Sequence, residues 1–339
     1  MNELALLVLI VALALLFDFF NGFNDAANSI ATIVATKVLT PFQAVAWAAF
    51  FNFVSAFGFG TAVAKMIGSG MVHSEMVTPV VVLAGLVGAI FWVGLASRLG
   101  LPVSASHSLV GGYGGAAVVH VGLAVGWGES LSVLNAGNWL TMAAFIFVAP
   151  LLGLIGGGGL MIATVWLFRG YSRQRMDIYF RRLQLVSSAA FSFSHGTNDA
   201  QKTMGIIVAS LFAAGYSESM EIPLWVILSA HAAISLGTLF GGWRVIRTMG
   251  DRLTKLKPVG GFCAETGGAA TVMLAASLGV PASTTHTIAG AIAGVGTVRR
   301  VRAVRWGQAR DIVGAWVLTL PITIAAGAGA YLLVHWMGL

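Results

Sequence analysis

With 339 residues, 58% of them hydrophobic and only 9% charged, the chain lacks the polar surface of a water-soluble domain, which carries about 25% charged residues. Its net charge of +7 and mean hydropathy of +0.88 fit basic loops beside a lipid bilayer, and no nucleic acid partner is expected. Barrel strands would alternate over about 10 residues. The apolar runs here are longer and apolar on all sides, so an all-α polytopic membrane protein is expected, each helix needing about 20 residues to cross.

In chain order the apolar runs place spans at about 4–36, 42–63, 77–97, 101–126 and 139–168, then at 183–214, 223–243, 258–278, 281–298 and 312–336. Residues 1–36 hold no Lys or Arg, so the first run lacks the basic flank of a signal peptide and is expected to be a mature membrane helix. Spans 4–36, 139–168 and 183–214 exceed one crossing, which implies breaks or tilt. Fifteen of the 19 basic residues fall in three stretches: Arg169, Arg173, Arg175, Arg181 and Arg182; Arg244, Arg247, Arg252, Lys255 and Lys257; Arg299, Arg300, Arg302, Arg305 and Arg310. These are cytoplasmic by the positive-inside rule. Residues 127–138, with Glu129, and 215–222, with Glu218 and Glu221, are acidic and fall outside. Cys263 is the single cysteine, so no disulfide framework exists.

The chain repeats itself. Gly22-Phe23-Asn24-Asp25-Ala26 matches Gly196-Thr197-Asn198-Asp199-Ala200, and Pro102-Val103-Ser104-Ala105-Ser106-His107 matches Pro281-Ala282-Ser283-Thr284-Thr285-His286. The offsets are 174 residues (Asn24 to Asn198) and 179 residues (Pro102 to Pro281). Residues 1–168 and 183–339 each cross five times, joined by a basic linker at 169–182. An odd span count per half forces two inverted-topology repeats, a plan that puts a transport site at the repeat interface. About 10–12 transmembrane or re-entrant helices are expected, with broken helices at the site.

The repeated motifs carry the chemistry. A carboxylate at the centre of a spanning helix costs about 2.5–3.5 kcal/mol on insertion scales, and Asp25 and Asp199 both stand there. The adjoining Gly22 and Gly196 are expected to let the helix unwind, so that freed carbonyls join the Asp and Asn oxygens in a hard-cation cage. Asp25, Asn28, Asp199 and Glu265 are the candidate coupling-cation ligands; Asp25 and Asp199 are metal ligands if the ion is Na⁺. The Pro segments, with Pro at the first helical position, open helices whose free N–H groups and dipole favour an anion. Ser104, Ser106, Ser283, Thr284 and Thr285 add hydroxyl donors, and His107 and His286 donate or titrate. With Asn24 and Asn198 they form the candidate oxyanion site.

Other residues carry weaker signals. Lys202 follows the second Asn-Asp pair and either balances Asp199 or attracts an anion. Asp18 faces Ser192 in the repeat alignment and breaks the symmetry. Gly156–Gly159 and the Gly111-Gly112 and Gly114-Gly115 pairs have no preceding strand, so they read as close helix packing rather than nucleotide loops. His73, His120, His231 and His335 stand alone, without zinc-ligand spacing; no cofactor is expected.

At these residues the chain resembles the inorganic phosphate transporter family. The resemblance rests on Gly22–Ser29, Gly196–Lys202, the two Pro-x-Ser-x-x-His segments and Gly261–Gly268, and it spans both halves. It implies symport of inorganic phosphate with H⁺ or Na⁺ by alternating access across a bacterial-type inner membrane, with the Asn-Asp and Ser/Thr segments around substrate and cations and a homodimer as an expected assembly. Some relatives place Glu where Asn52 stands, which leaves Asn52's role open; many also carry a long hydrophilic central loop that residues 169–182 do not provide. Rival readings are a sulfate permease of the same build and a passive anion channel. Sulfate carries no proton to offer Asp25 or Asp199, and a channel has no need of buried acids. A hydrolase built on Ser104 or Ser106 with His107 lacks a separately activated nucleophile–base pair, so no enzyme activity is expected.

Overall fold

The computed structural model describes residues 2–338 except 59, 74, 75 and 252, and only the backbone of Asp251. Arg252 of the second basic stretch therefore lies outside the described residues. Among the described residues the chain forms twelve α-helices: α1 (Glu3–Ala35), α2 (Pro41–Val54), α3 (Ala62–Lys65), α4 (Pro79–Leu99), α5 (Ala105–Ala124), α6 (Ala136–Leu167), α7 (Arg173–Ala213), α8 (Leu224–Phe240), α9 (Trp243–Asp251), α10 (Pro258–Ser277), α11 (Thr284–Arg299) and α12 (Trp306–Trp336). Large apolar side chains such as Phe50, Phe91, Phe147, Ile155, Ile162 and Leu318 are exposed all round the bundle. Such a surface requires lipid as its solvent.

Helices α1, α4, α6, α10 and α12 are each long and apolar enough to cross a bilayer. Helices α5, α7 and α11 carry the polar motif residues, which lowers their hydropathy, and they are buried along most of their length. One expected span, 42–63, is bent within its length, and the expected span 223–243 ends at a second bend. The segment 41–70 turns by 82° between Phe57 and Ala62, and α8 meets α9 at 73°. Gly241 makes the second bend with a φ of +61°, a conformation that costs an L-residue about 1–2 kcal/mol.

Exchanging α1–α6 for α7–α12 reproduces the packing. Helix α1 packs on α8 as α7 packs on α2; α5 packs on α12 as α11 packs on α6; α4 packs on α12 as α10 packs on α6. The paired helices run in opposite senses. Lys37, just past the end of α1, accepts a hydrogen bond through its carbonyl from Arg181 near the start of α7, at 3.0 Å. Arg244 donates to the Arg98 carbonyl at the end of α4, and Arg299 donates to the Lys255 carbonyl just before α10. The basic stretches thus gather at one end of the bundle. The acidic loops meet residues 65–73 at the other end, where His73 N donates to the Val133 carbonyl and Lys65 and Glu221 line one cavity.

Close glycine contacts hold the halves together. A methyl on Gly290 or Gly294 of α11 would strike the Pro150 or Leu154 carbonyl of α6, and one on Gly115 of α5 would strike the Ile324 carbonyl of α12. In the expected packing run Gly156–Gly159, Gly157 packs on α11 in the same way, Gly156 and Gly158 lie close to Gly267 of α10 and Gly294 of α11, and Gly159 faces open space. Helix α7 begins at Arg173, so most of the expected linker 169–182 is helical and only residues 169–172 are not.

The structure corrects two expectations at the motifs. Helices α1 and α7 stay helical through Gly22 and Gly196 and do not unwind there. The glycines serve packing: a Cβ on Gly22 would meet the Ile234 carbonyl of α8, and one on Gly196 would meet Asn52 and Ser55. A crossing that close needs a bare Cα but no free carbonyls. The breaks fall instead before α5 and α11. Gly100 and Gly279, both at φ +73°, end α4 and α10 in matching αL turns. Leu101 N bonds to the Ala96 carbonyl and Val280 N to the Ala275 carbonyl, each at 2.9 Å, which is the Schellman pattern. Pro102 and Pro281 then sit two residues before the N-caps Ser104 and Ser283, not at the first helical position.

Candidate functional site

The two breaks aim the starts of α5 and α11 at the middle of α1 and α7. Asp25, Asn28, Asp199, Lys202, Ser106 and Thr285 are each at most 2% exposed, so their polar groups interact with one another at low dielectric.

Around Asp25, Thr284 Oγ1 donates to Oδ2 at 3.3 Å and Thr285 Oγ1 lies 3.2 Å from Oδ1. Thr285 Oγ1 is also 3.2 Å from the Val103 carbonyl. Asn28 Nδ2 donates to Thr285 Oγ1 at 2.9 Å and to Thr284 Oγ1 at 3.4 Å. Around Asp199, Lys202 Nζ lies 2.6 Å from Oδ1 and Asn198 Nδ2 donates to the same oxygen at 2.7 Å. Lys202 also donates to Ser106 Oγ and, at 3.4 Å, to the Ala282 carbonyl. His195 joins the two clusters: its Nε2 is 3.8 Å from Asp25 Oδ2 and 3.6 Å from Asp199 Oδ2. Its Nδ1 lies 3.2 Å from Asn52 Oδ1, and Asn52 donates to Thr238. Single atoms of Asp25, His195 and Asp199 lie within 4.8 Å of one another, a spacing that one cation can bridge. Asn52 thus orients His195.

The remaining motif residues are divided between this centre and its supports. Asn24 donates to Ser97 Oγ at 2.8 Å and to the Leu101 carbonyl at 3.5 Å, tying α1 to the first break. Asn198 donates to the Ala282 carbonyl at 2.9 Å, tying α7 to the second. Ser104 and Ser283 are N-caps whose hydroxyls accept from the backbone N–H of His107 and His286. The side chains of His107 and His286 stack on each other at 5.2 Å, and His286 stacks on Trp316 at 4.0 Å. The His107 ring reaches Ser104 Oγ at 2.6 Å and the Met142 carbonyl at 3.3 Å. Ser and His are therefore brought together, but as a capped helix start without an orienting carboxylate.

Glu265 lies apart. It accepts from Thr32 at 2.6 Å, from Gln184 at 2.9 Å and from Ser187. Thr32 is seven residues beyond Asp25, which is about 10 Å along a helix. Asp18 is fully buried and accepts from Asn21 at 3.4 Å. His195 escaped the sequence reading, although its i, i+4 spacing to Asp199 places both on one helix face.

The model of the phosphate transporter family matches residues 21–327. The chain belongs to that family. It is 50% identical to a probable low-affinity inorganic phosphate transporter of Rhizobium meliloti over 96% of each chain, and 40% identical to one of Bacillus subtilis over 98% of each. Among solved structures it resembles a sodium-dependent phosphate transporter, with a TM-score of 0.87, 28% identity, and coverage of 98% of this chain and 99% of that one. This family member is a multi-pass membrane protein, with its inverted repeats meeting at the Asp25–Asp199 centre.

Proposed function

We propose that the chain carries inorganic phosphate across the inner membrane together with a coupling cation, H⁺ or Na⁺, by alternating access between two inverted halves, residues 1–168 and 183–339, joined by 169–182. The single observation that supports this most is the convergence of two helix starts on two buried carboxylates. The N-terminal ends of α5 and α11 offer positive dipole and hydroxyl donors to an oxyanion, from Ser106, Thr284 and Thr285 at the centre and from Ser104 and Ser283 at the caps. Asn24 and Asn198 hold the two breaks in place. His107 and His286 fix the helix starts by stacking. The names of the relatives in Rhizobium meliloti and Bacillus subtilis point to inorganic phosphate as that oxyanion.

Asp25 with Asn28 holds the coupling cation, and Asp199 with its neighbours forms the repeat-related cluster beside it. The Asn28 Oδ1 atom is buried with no hydrogen-bond partner, as suits an oxygen ligand. Cation charge at Asp25 then lets the phosphate dianion or monoanion approach. Monoprotonated phosphate can also donate its own proton to a carboxylate, which sulfate cannot do. Glu265, two helical turns away, acts at the cytoplasmic gate or as a separate cation ligand. Coupling requires that the bound cation and phosphate favour one arrangement of the halves over the other. The role is transport rather than catalysis.

Competition decides the substrate. In proteoliposomes, uptake of labelled phosphate should persist in a hundredfold excess of unlabelled sulfate and vanish with unlabelled phosphate. Full competition by sulfate would assign the chain to sulfate instead.

A further inference from the structure

The two cation clusters are related residue by residue through the repeat, and they differ in charge at one place, although the Thr284 hydroxyl on Asp25 also has only Ala105 as its counterpart. Asp25 corresponds to Asp199, Thr285 to Ser106 and Val103 to Ala282. Asn28 corresponds to Lys202, because Gly22–Asn28 aligns with Gly196–Lys202. In the first cluster Thr285 Oγ1 meets Asp25 Oδ1 and the Val103 carbonyl, and Asn28 presents an unpartnered oxygen. In the second cluster the ε-ammonium of Lys202 lies among the three equivalent oxygens: Asp199 Oδ1 at 2.6 Å, Ser106 Oγ, and the Ala282 carbonyl at 3.4 Å. A carboxylate, a hydroxyl and a carbonyl converging on a point make a hard-cation cage. Here the point carries a nitrogen that belongs to the chain.

We propose that Lys202 is a tethered cation which permanently fills the second of two symmetry-related cation positions, so that only the first takes an ion from solution. This rests on the reading of the Asp25 and Asp199 clusters as cation sites. A lysine ammonium is a compact charge on a flexible stem, and Lys202 is 1% exposed, so exchange with a solution cation is prevented by the covalent stem. A buried ammonium needs three acceptors in any setting; what marks this position is that all three are the repeat counterparts of the oxygens gathered at Asp25, namely Thr285 Oγ1, Asp25 Oδ1 and the Val103 carbonyl. One charge of the coupling stoichiometry is thereby built into the chain, and Na⁺ has no entry to the second half.

Replacing the stem by the residue of the other repeat should reopen the position. Lys202→Asn is compared with wild type in detergent, with thermal unfolding followed in NaCl and in choline chloride of equal ionic strength. Lys202→Gln, which keeps a polar amide, is measured beside it. The expected result is a Na⁺-dependent rise in Tm larger than that of wild type, by about 2–4 °C at saturation, and lost when Asp199→Asn is added. A variant that folds only in Na⁺ is the same result in extreme form. Equal Na⁺ responses in wild type and both variants, or a failure of both to fold in either salt, would overturn the proposal. This readout is binding, so it stands even if the wild type fails to move phosphate. In proteoliposomes Lys202→Asn should in addition show a larger Na⁺ stimulation of phosphate uptake than wild type; active uptake by both with equal Na⁺ stimulation would also count against the tethered cation.

Discussion

Asp25 and Asp199 are sequence equivalents, yet replacing each by Asn should give different proteins. Asp25 accepts from the hydroxyl of Thr284 and lies beside that of Thr285; in Asn the amide oxygen still accepts from one hydroxyl while the N–H₂ donates to the other, and Thr285 keeps the Val103 carbonyl as an acceptor. Asp199 faces the Lys202 ammonium at 2.6 Å with both side chains 1% exposed. Asp199→Asn leaves that charge buried without its counter-ion, and breaking a buried pair from one side costs about 3–5 kcal/mol. Ser106 and the Ala282 carbonyl still accept from the ammonium, which places the loss near the lower end, about 3 kcal/mol. Adding Lys202→Met removes the stranded charge at similar volume and should recover most of the stability. Neither the single nor the double variant should transport. The assay is unfolding of the purified variants in detergent, with Asp25→Asn as the control, expected within about 1 kcal/mol of wild type. Asp199→Asn as stable as wild type, or a double variant no better than the single, would refute the pairing.

Three further outcomes follow from named contacts. Glu265→Gln turns a carboxylate with three donors into an amide whose N–H₂ confronts Thr32, Gln184 or Ser187; a loss of about 1–3 kcal/mol is expected in the same unfolding assay, and a neutral result would mean the cluster rearranges freely. Gly290→Leu drives a side chain into the Pro150 carbonyl and should prevent accumulation of folded protein, read by size-exclusion chromatography of the detergent extract. Gly100→Ala and Gly279→Ala impose a Cβ at φ +73°, at a cost of about 1–2 kcal/mol each. The two variants should lower Tm by similar amounts, because the turns are equivalent; a large effect from one alone would contradict that equivalence.

The lipid-facing fold and the duplicated motifs were legible because both are local: apolar runs of membrane length, and two short motifs in the same order at nearly equal offsets. Asp25, Asp199, Ser106, Thr284 and Thr285 could be singled out for the same reason, since a polar group in an apolar run is conspicuous by itself. What was not legible depends on chain segments far apart. Glu265 itself stood out in its apolar run, but its partners Thr32 and Gln184, 233 and 81 residues away, look unremarkable in sequence. His195 matters because α1 brings Asp25 against it. Gly22 and Gly196 were read for flexibility, whereas the close crossings with α8 and α2 decide their use: a glycine signal does not distinguish an unwound turn from a tight contact. The bend near residues 57–62 was hidden because apolar residues continue on both sides of it, whereas the one at 241 coincides with the end of the apolar run, where Arg244 and Arg247 begin.

The most direct test of coupled transport is accumulation in proteoliposomes loaded with buffer at equal phosphate inside and out, with labelled phosphate outside and a Na⁺ or H⁺ gradient imposed. The account predicts that label rises above the equilibrium level while the gradient lasts, falls when an ionophore dissipates it, and fails to rise with Asp25→Asn. Label that only equilibrates, with or without a gradient, would contradict it and make the protein a passive anion pathway.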